Sequence, residues 1–304
     1  MVVEGRTLEK PAGIYPMLFA YFAGDGALRL DAFAPQVEAA IAARAAGVAV
    51  LGLGTEVGKL GPAERRDAVE AVVAAVRGRV PVAVTVAGTS LPEATAAARH
   101  ACDAGAAWLI LQPPPPPASE EDVAYWFAAI ADAVPCPVAI QNAPEFLGIG
   151  LSPDAILRLA GDVPRLVAVK AESSALLAAR LVDRLGGRLA VLNGRAGLEL
   201  PDNLRGGVAG MVPGIETADL QVAAFAAMAA GDEAAGEAAY ARMLPLLTFL
   251  MQGVAQFTAL GKIVAARRLG IDAGRDRRPA MAVDARARAW CHRYADALGP
   301  LPQP

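Results

Sequence analysis

Cysteine and histidine are scarce in this chain of 304 residues, which has three Cys and two His. Cys102, Cys136 and Cys291 lie far apart, no CxxC pair occurs, and His100 and His292 stand alone in helical stretches. A structural zinc site is therefore not expected, nor a disulfide framework, and Cys136, set between Pro135 and Pro137, reads as a small buried residue. Such cysteine usage fits a reducing cytoplasm. A basic surplus is also missing: 28 Lys plus Arg against 31 Asp plus Glu leave a net charge of −3. Without it the chain cannot neutralise a run of phosphates, so nucleic acid is excluded as a general partner. No apolar run of membrane-spanning length is free of Gly, Pro and charge, so no membrane span is expected. Glu4, Arg6, Glu9 and Lys10 interrupt the first ten residues, so no secretory leader is expected either.

What is present is a large core. Hydrophobic residues make up 55% and charged residues 19%, a globular balance with no signature of disorder. Eight short apolar runs read as strands: Ile14–Phe19, Val48–Leu53, Val82–Val86, Trp108–Leu111, Val138–Ile140, Leu166–Val169, Leu189–Leu192 and Ala209–Val212. Most are continuous rather than alternating, as in parallel strands covered on both faces. Ala-rich helical runs separate them. Ser90, Ser119, Ser152 and Ser174 stand at helix starts, with Glu93 three residues after Ser90 as a capping box, and Gly47 and Gly105 at helix ends. Eight β-α alternations favour an α/β fold of the (β/α)8 barrel type over an open sheet. The barrel is expected over residues 1–225. Residues 226–304, helical and without strands, form a C-terminal extension suited to packing or oligomer contacts. Pro113–Pro117, soon after the fourth strand, must run extended and stiff.

Barrel enzymes carry their chemistry at the C-terminal ends of the strands. Of the four lysines, Lys10, Lys59, Lys170 and Lys262, Lys170 is the one that ends a strand. An apolar barrel mouth disfavours the ammonium form, and a neutral amine can attack a carbonyl to form a Schiff base. A solvated loop lysine is the plain alternative. Glu172, two residues on, is a candidate acid–base group if the strand end turns it inward, or else a carboxylate stabilised by the following helix N-terminus. Gly52–Glu56 is a glycine-rich turn after the second strand, where backbone N–H groups at Gly54 and the Thr55 hydroxyl could hold a carboxylate. Gln141 and Asn142 follow the fifth strand, Asn193 and Gly194 the seventh, and Tyr21 the first. Arg195 could meet the far end of an anionic substrate, or lie on the surface.

Four of these segments, in order, resemble the dihydrodipicolinate synthase / N-acetylneuraminate lyase family over residues 13 to about 300. Gly52–Leu60 (GLGTEVGKL) is similar to its carboxylate-binding GTTGE segment. Gln141–Pro144 (QNAP) is similar to YNxP, Val167–Ser174 (VAVKAESS) to the Schiff-base lysine segment, and Asn193-Gly194 to a Ser-Gly pair. The resemblance implies an imine between Lys170 and a 2-oxo acid such as pyruvate, no metal and no organic cofactor, a small-molecule substrate, and a homo-oligomer of two or four copies. The chain departs from the pattern at three points. Pro115 stands where the family has its proton-relaying tyrosine, Leu53 and Gly54 replace the two threonines of GTTGE, and Gln141 replaces the tyrosine of YNxP.

A tyrosine-lacking subset, the 2-keto-3-deoxy-sugar-acid dehydratases, is similar at two of these segments, with Asn142 in place of its aspartate. The expected reaction is accordingly dehydration of a 2-keto-3-deoxy sugar acid. Lys170 forms the imine and Glu172 is placed to move the C3 proton. Gly54, Thr55, Gln141, Asn142, Asn193, Gly194 and Tyr21 are the expected substrate contacts. A pyruvate-dependent aldolase or synthase is the first alternative, and a barrel that binds 2-oxo acids without turnover the second.

Overall fold

The computed structural model describes residues 2–3 and 6–303. A short antiparallel pair, β1 (Val2–Val3) and β2 (Arg6–Thr7), precedes the barrel. The barrel strands are β3 (Gly13–Ile14), β4 (Val48–Val50), β5 (Val82–Val86), β6 (Trp108–Leu111), β7 (Val138–Gln141), β8 (Leu166–Lys170), β9 (Ala190–Asn193) and β10 (Gly210–Met211). They are parallel and lie in the order β3-β10-β9-β8-β7-β6-β5-β4. Closure between β3 and β4 runs through Met17, which bridges Ala49 on one side and Gly214 on the other. The result is the (β/α)8 barrel that the alternation of apolar runs implied. The first strand is shorter than Ile14–Phe19 because Pro16 interrupts it with a residue that has no N–H to give the ladder.

Within each strand alternate residues divide between two surroundings. Val82, Val84 and Val86 face the helix layer, while Ala83 joins Ala49, Ala139 and Ala168 inside the barrel. Inside, these alanines interdigitate with Ile110, Val167, Leu192 and Val212, and the filled interior leaves no pore. Tyr15 and Trp108, edge to face with ring centroids 5.2 Å apart, plug the N-terminal end.

The surrounding helices are α1 (Phe33–Ala42), α2 (Pro62–Val76), α3 (Leu91–Ala104), α4 (Glu120–Asp132), α5 (Pro144–Leu147), α6 (Pro153–Asp162), α7 (Ala175–Leu185), α8 (Leu200–Arg205) and α9 (Ala218–Ala229). Ser90, Ser119, Ser152 and Ser174 cap α3, α4, α6 and α7 by accepting from the N–H three residues on. The reciprocal capping box is complete at Ser119 and Asp122. At Ser90 it is not, because the Glu93 carboxylate accepts from the N–H and hydroxyl of Thr89 instead.

Three further helices, α10 (Glu233–Leu250), α11 (Val254–Leu269) and α12 (Ala285–Leu298), pack beyond the barrel. α11 is buried along most of its length and anchors to the barrel through charge. Lys262 pairs with Glu56 and with Asp276, the latter at 2.7 Å. Arg268 pairs with Asp219 at 2.7 Å and donates to the carbonyl of Glu216 at 2.6 Å. No helix among the described residues is long and apolar enough to cross a membrane.

The cysteines correct one expectation. Cys102 and Cys136 form a disulfide, with Cα atoms 6.0 Å apart, and Cys291 is free and buried. Cys102 lies in the last turn of α3, and Cys136 lies just ahead of β7. Barrel closure carries both to the N-terminal face, which their separation of 34 residues conceals in the sequence. The cysteine argument for a reducing compartment falls with this pairing. In denaturant without reductant a thiol reagent should therefore find one reactive thiol per chain, rising to three after reduction; three at the outset would refute the pairing.

Candidate active site

The site is built at the end of β8. Lys170 is the last residue of that strand, and its register partner on β7 is Gln141. The Lys170 side chain is buried, at 3% exposure, and its Nζ is ion-paired with Glu172 Oε1. Glu172 is fixed from two more directions. Gln141 Nε2 donates to Oε1 at 3.4 Å, and the backbone N–H of Arg195 donates to Oε2 at 3.0 Å. Gln141 is itself held, because its Oε1 accepts from Gln112 Nε2 at 3.1 Å. A line of side chains thus runs from β6 through β7 to the lysine. Gln112 escaped the sequence reading. Its signal was positional: it follows β6 as Gln141 closes β7, one step past the Leu111–Ile140 register pair.

Glycine at 194 is required by this arrangement. A Cβ there would stand 2.3 Å from Glu172 Oε2. Gly194 therefore makes room for the carboxylate and binds nothing through a side chain of its own.

Lys170 and Glu172 open onto a small cleft with about 40 Å³ of enclosed space. Leu53 and Gly54 form one wall. Their N–H groups bond to no other described residue, so two adjacent donors remain for an anion. Phe146 of α5 forms another wall, and Met251, Val254 and Phe257, at the junction of α10 and α11, form a third. The C-terminal extension is thus part of the cleft. The α5 turn was not anticipated; Pro144 at its first position was its signal.

Four residues expected at the substrate are committed to the scaffold instead. The Thr55 hydroxyl donates to the carbonyl of Leu18 at 2.6 Å. Asn142 bonds the backbone of Leu151 through both ends of its amide. Asn193 bonds Ser173, Asn203 and the N–H of Gly194. The Tyr21 hydroxyl donates to the carbonyl of Lys262 at 3.0 Å, and burial pushes its ionisation upward. A strand-end position settles that a side chain is near the mouth. It does not settle which way the side chain turns once the loop folds back.

One further group was missed. Glu216, in the turn after β10, is fully buried, and no other described residue bonds its carboxyl oxygens. It lies behind Gly214, a cleft residue, where an added Cβ would be 2.0 Å from Oε2. Burial, opposed by the residue's own backbone N–H and then by Arg268, raises its pKa from 4.5 to about 8.

Comparison with known proteins agrees with this geometry. Residues 10–298 match the model of the dihydrodipicolinate synthetase family. The 4-hydroxy-tetrahydrodipicolinate synthase of Sorangium cellulosum is 32% identical over 269 residues, 85% of this chain and 89% of that protein. YjhH of Escherichia coli K12, named a probable 2-dehydro-3-deoxy-D-pentonate aldolase, is 30% identical over 164 residues, 54% of each chain. The crystal structure of dihydrodipicolinate synthase from Rhodopseudomonas palustris superposes with a TM-score of 0.86 at 23% identity, covering 94% of this chain and 97% of that one, a likeness of fold. The chain belongs to the dihydrodipicolinate synthetase family, whose members are lyases that act through a lysine Schiff base.

Proposed function

We propose that the chain is a pyruvate-type 2-oxo-acid lyase that makes or breaks a carbon–carbon bond while the keto acid is held as an imine on Lys170. The observation that carries this reading is the buried Lys170–Glu172 pair, with its carboxylate fixed by Gln141 and the Arg195 N–H. Transfer of the shared proton to Glu172 leaves a neutral amine to attack the keto carbon, and the acid returns the proton as water departs. The substrate carboxylate takes the N–H groups of Leu53 and Gly54. In the cleavage direction the C4 hydroxyl gives up its proton and the C3–C4 bond breaks. Its electron pair flows to the iminium nitrogen, an aldehyde leaves, and the enamine takes a proton at C3. Water then releases pyruvate and the amine. Glu172 is the group placed to carry these protons, since no phenol lines the cleft among the described residues.

Dehydration of a 2-keto-3-deoxy sugar acid is the second reading. It shares the imine and the C3 proton step, and the Gln141–Glu172 pair beside Lys170 suits it. The largely apolar walls favour the aldol reading, because a sugar chain needs partners for its hydroxyls. Contact between Lys170 and Glu172 speaks against the binder without turnover. A dimer or tetramer is proposed on the family's account.

Borohydride reduction in the presence of pyruvate should fix one pyruvate-derived group per chain on the peptide containing Lys170. Lys170→Ala should abolish it. Absence of the adduct in the unmodified protein would reject the imine.

A further inference from the structure

We propose a second ligand site on the far part of α11, built to hold the phosphate groups of a small organic diphosphate. A cavity of about 530 Å³ lies between α11, the 273–283 loop and the start of α12. It shares no lining residue with the cleft at Lys170: Val254 and Phe257 of α11 face that cleft, Lys262 and Ile263 this cavity. Four cations line it, Lys262, Arg275, Arg278 and Arg288, against one acid, Asp276. Lys262 is committed, because it is buried and paired with Glu56 and Asp276. The three arginines have no ion pair and no side-chain hydrogen bond among the described residues. In a chain whose net charge is −3, three free guanidinium groups gathered on one cavity repel one another until an anion joins them.

The fold has no use for these arginines. In the run Arg275-Asp276-Arg277-Arg278 the middle pair makes the folding contacts. Asp276 takes Lys262 at 2.7 Å, and Arg277 pairs with Glu64 at 2.6 Å and lies over the Phe22 ring, 4.4 Å from its centroid. Arg275 and Arg278, on either side, are exposed and line the cavity instead. Guanidinium groups grip phosphate oxygens through paired parallel hydrogen bonds, and three of them suit a diphosphate better than a single carboxylate. Ile263, Met281 and Val283 complete the wall, so the organic group that carries the diphosphate has apolar contacts beside its charged end. The concave shape selects a small molecule over an extended phosphate backbone.

Calorimetric titration of the full chain at about 0.15 M salt, where exposed charges alone are screened, should give one site per chain for ADP or for isopentenyl diphosphate. The two arms tell a nucleotide from an alkyl carrier. Inorganic pyrophosphate should bind at least about tenfold more weakly than the better of them, the effect of losing roughly 60 Å² of apolar contact. Arg278→Gln combined with Arg288→Gln, both at exposed positions where folding makes no demand, should leave thermal unfolding unchanged and weaken binding by about 10²-fold, about tenfold for each charge-assisted contact removed. No heat from either diphosphate, equal binding of pyrophosphate or sulfate, or a double variant that binds as the unmodified chain does would each overturn the inference. Loss of binding once pyruvate has been reduced onto Lys170 would overturn it too, by placing the ligand in the cleft. The lysine-imine reading stands or falls separately, on trapping with pyruvate alone.

Discussion

Glu172→Gln should slow exchange of the pyruvate methyl protons with deuterated solvent by about 10²- to 10⁴-fold, the span of general acid–base catalysis. Exchange requires the enamine and nothing downstream of it, so it reads the proton step without reference to the acceptor. The substitution keeps the size of the side chain and an oxygen for the Arg195 N–H, which Glu172 engages at 3.0 Å. It removes the ability to take a proton from the Lys170 ammonium or from C3. Borohydride should still trap pyruvate on Lys170 in the variant, more slowly, whereas Lys170→Ala should lose both signals. A change of only a few-fold in exchange would return Glu172 to a structural role. The prediction leans on Gln141 and Gln112, which hold the carboxylate from the side of β6 and β7. They orient the carboxylate where the family's tyrosine is absent, and no residue of the Pro113–Pro117 run lines the cleft.

How much of this was legible in the sequence follows from how local each feature is. Strands β5 and β6 carry the boundaries their apolar runs gave, Val82–Val86 and Trp108–Leu111, because a buried parallel strand is written in consecutive residues. The meeting of Lys170 and Glu172 was reachable because both lie within three positions of one strand end. Features that need two distant segments were not reachable. The Cys102–Cys136 pairing exists only once α3 and the approach to β7 share a face. Gln112 acquires its meaning from Gln141, 29 residues away. The walls at Phe146, Met251 and Phe257 come from a four-residue helix and from the extension, and neither declares in sequence that it faces the barrel mouth. Thr55, Asn142 and Asn193 failed for the opposite reason: their neighbourhood was right and their direction was not. Each satisfies backbone groups that the loop would otherwise bury unpaired, and that demand takes precedence over a ligand.

Glu216→Gln should remove most of a pH dependence of stability that the unmodified chain shows between about pH 5 and pH 8. Glu216 is fully buried with no other residue bonded to either oxygen, and its carboxyl holds the proton up to about pH 8, whereas the unfolded chain releases it near 4.5. Between those values the folded state binds one more proton than the unfolded state, so stability falls as pH rises, at about 1.4 kcal/mol per unit. Below 4.5 both states are protonated and the effect vanishes. Above 8 both are ionised and the loss levels off, at about 5 kcal/mol if the whole interval counts. Arg268, whose charge draws the pKa down, is already committed to Asp219 and to two carbonyls, so it cannot approach to neutralise an ionised Glu216. Glutamine carries no titratable proton. The denaturation midpoints of the two proteins, followed by urea titration at each pH, should therefore diverge as pH rises, with the variant the more stable at pH 8. Parallel curves would mean that the carboxylate finds water or a counter-ion when it ionises. Divergence would establish a neutral acid packed behind Gly214, in the wall of a cleft whose chemistry is the movement of protons.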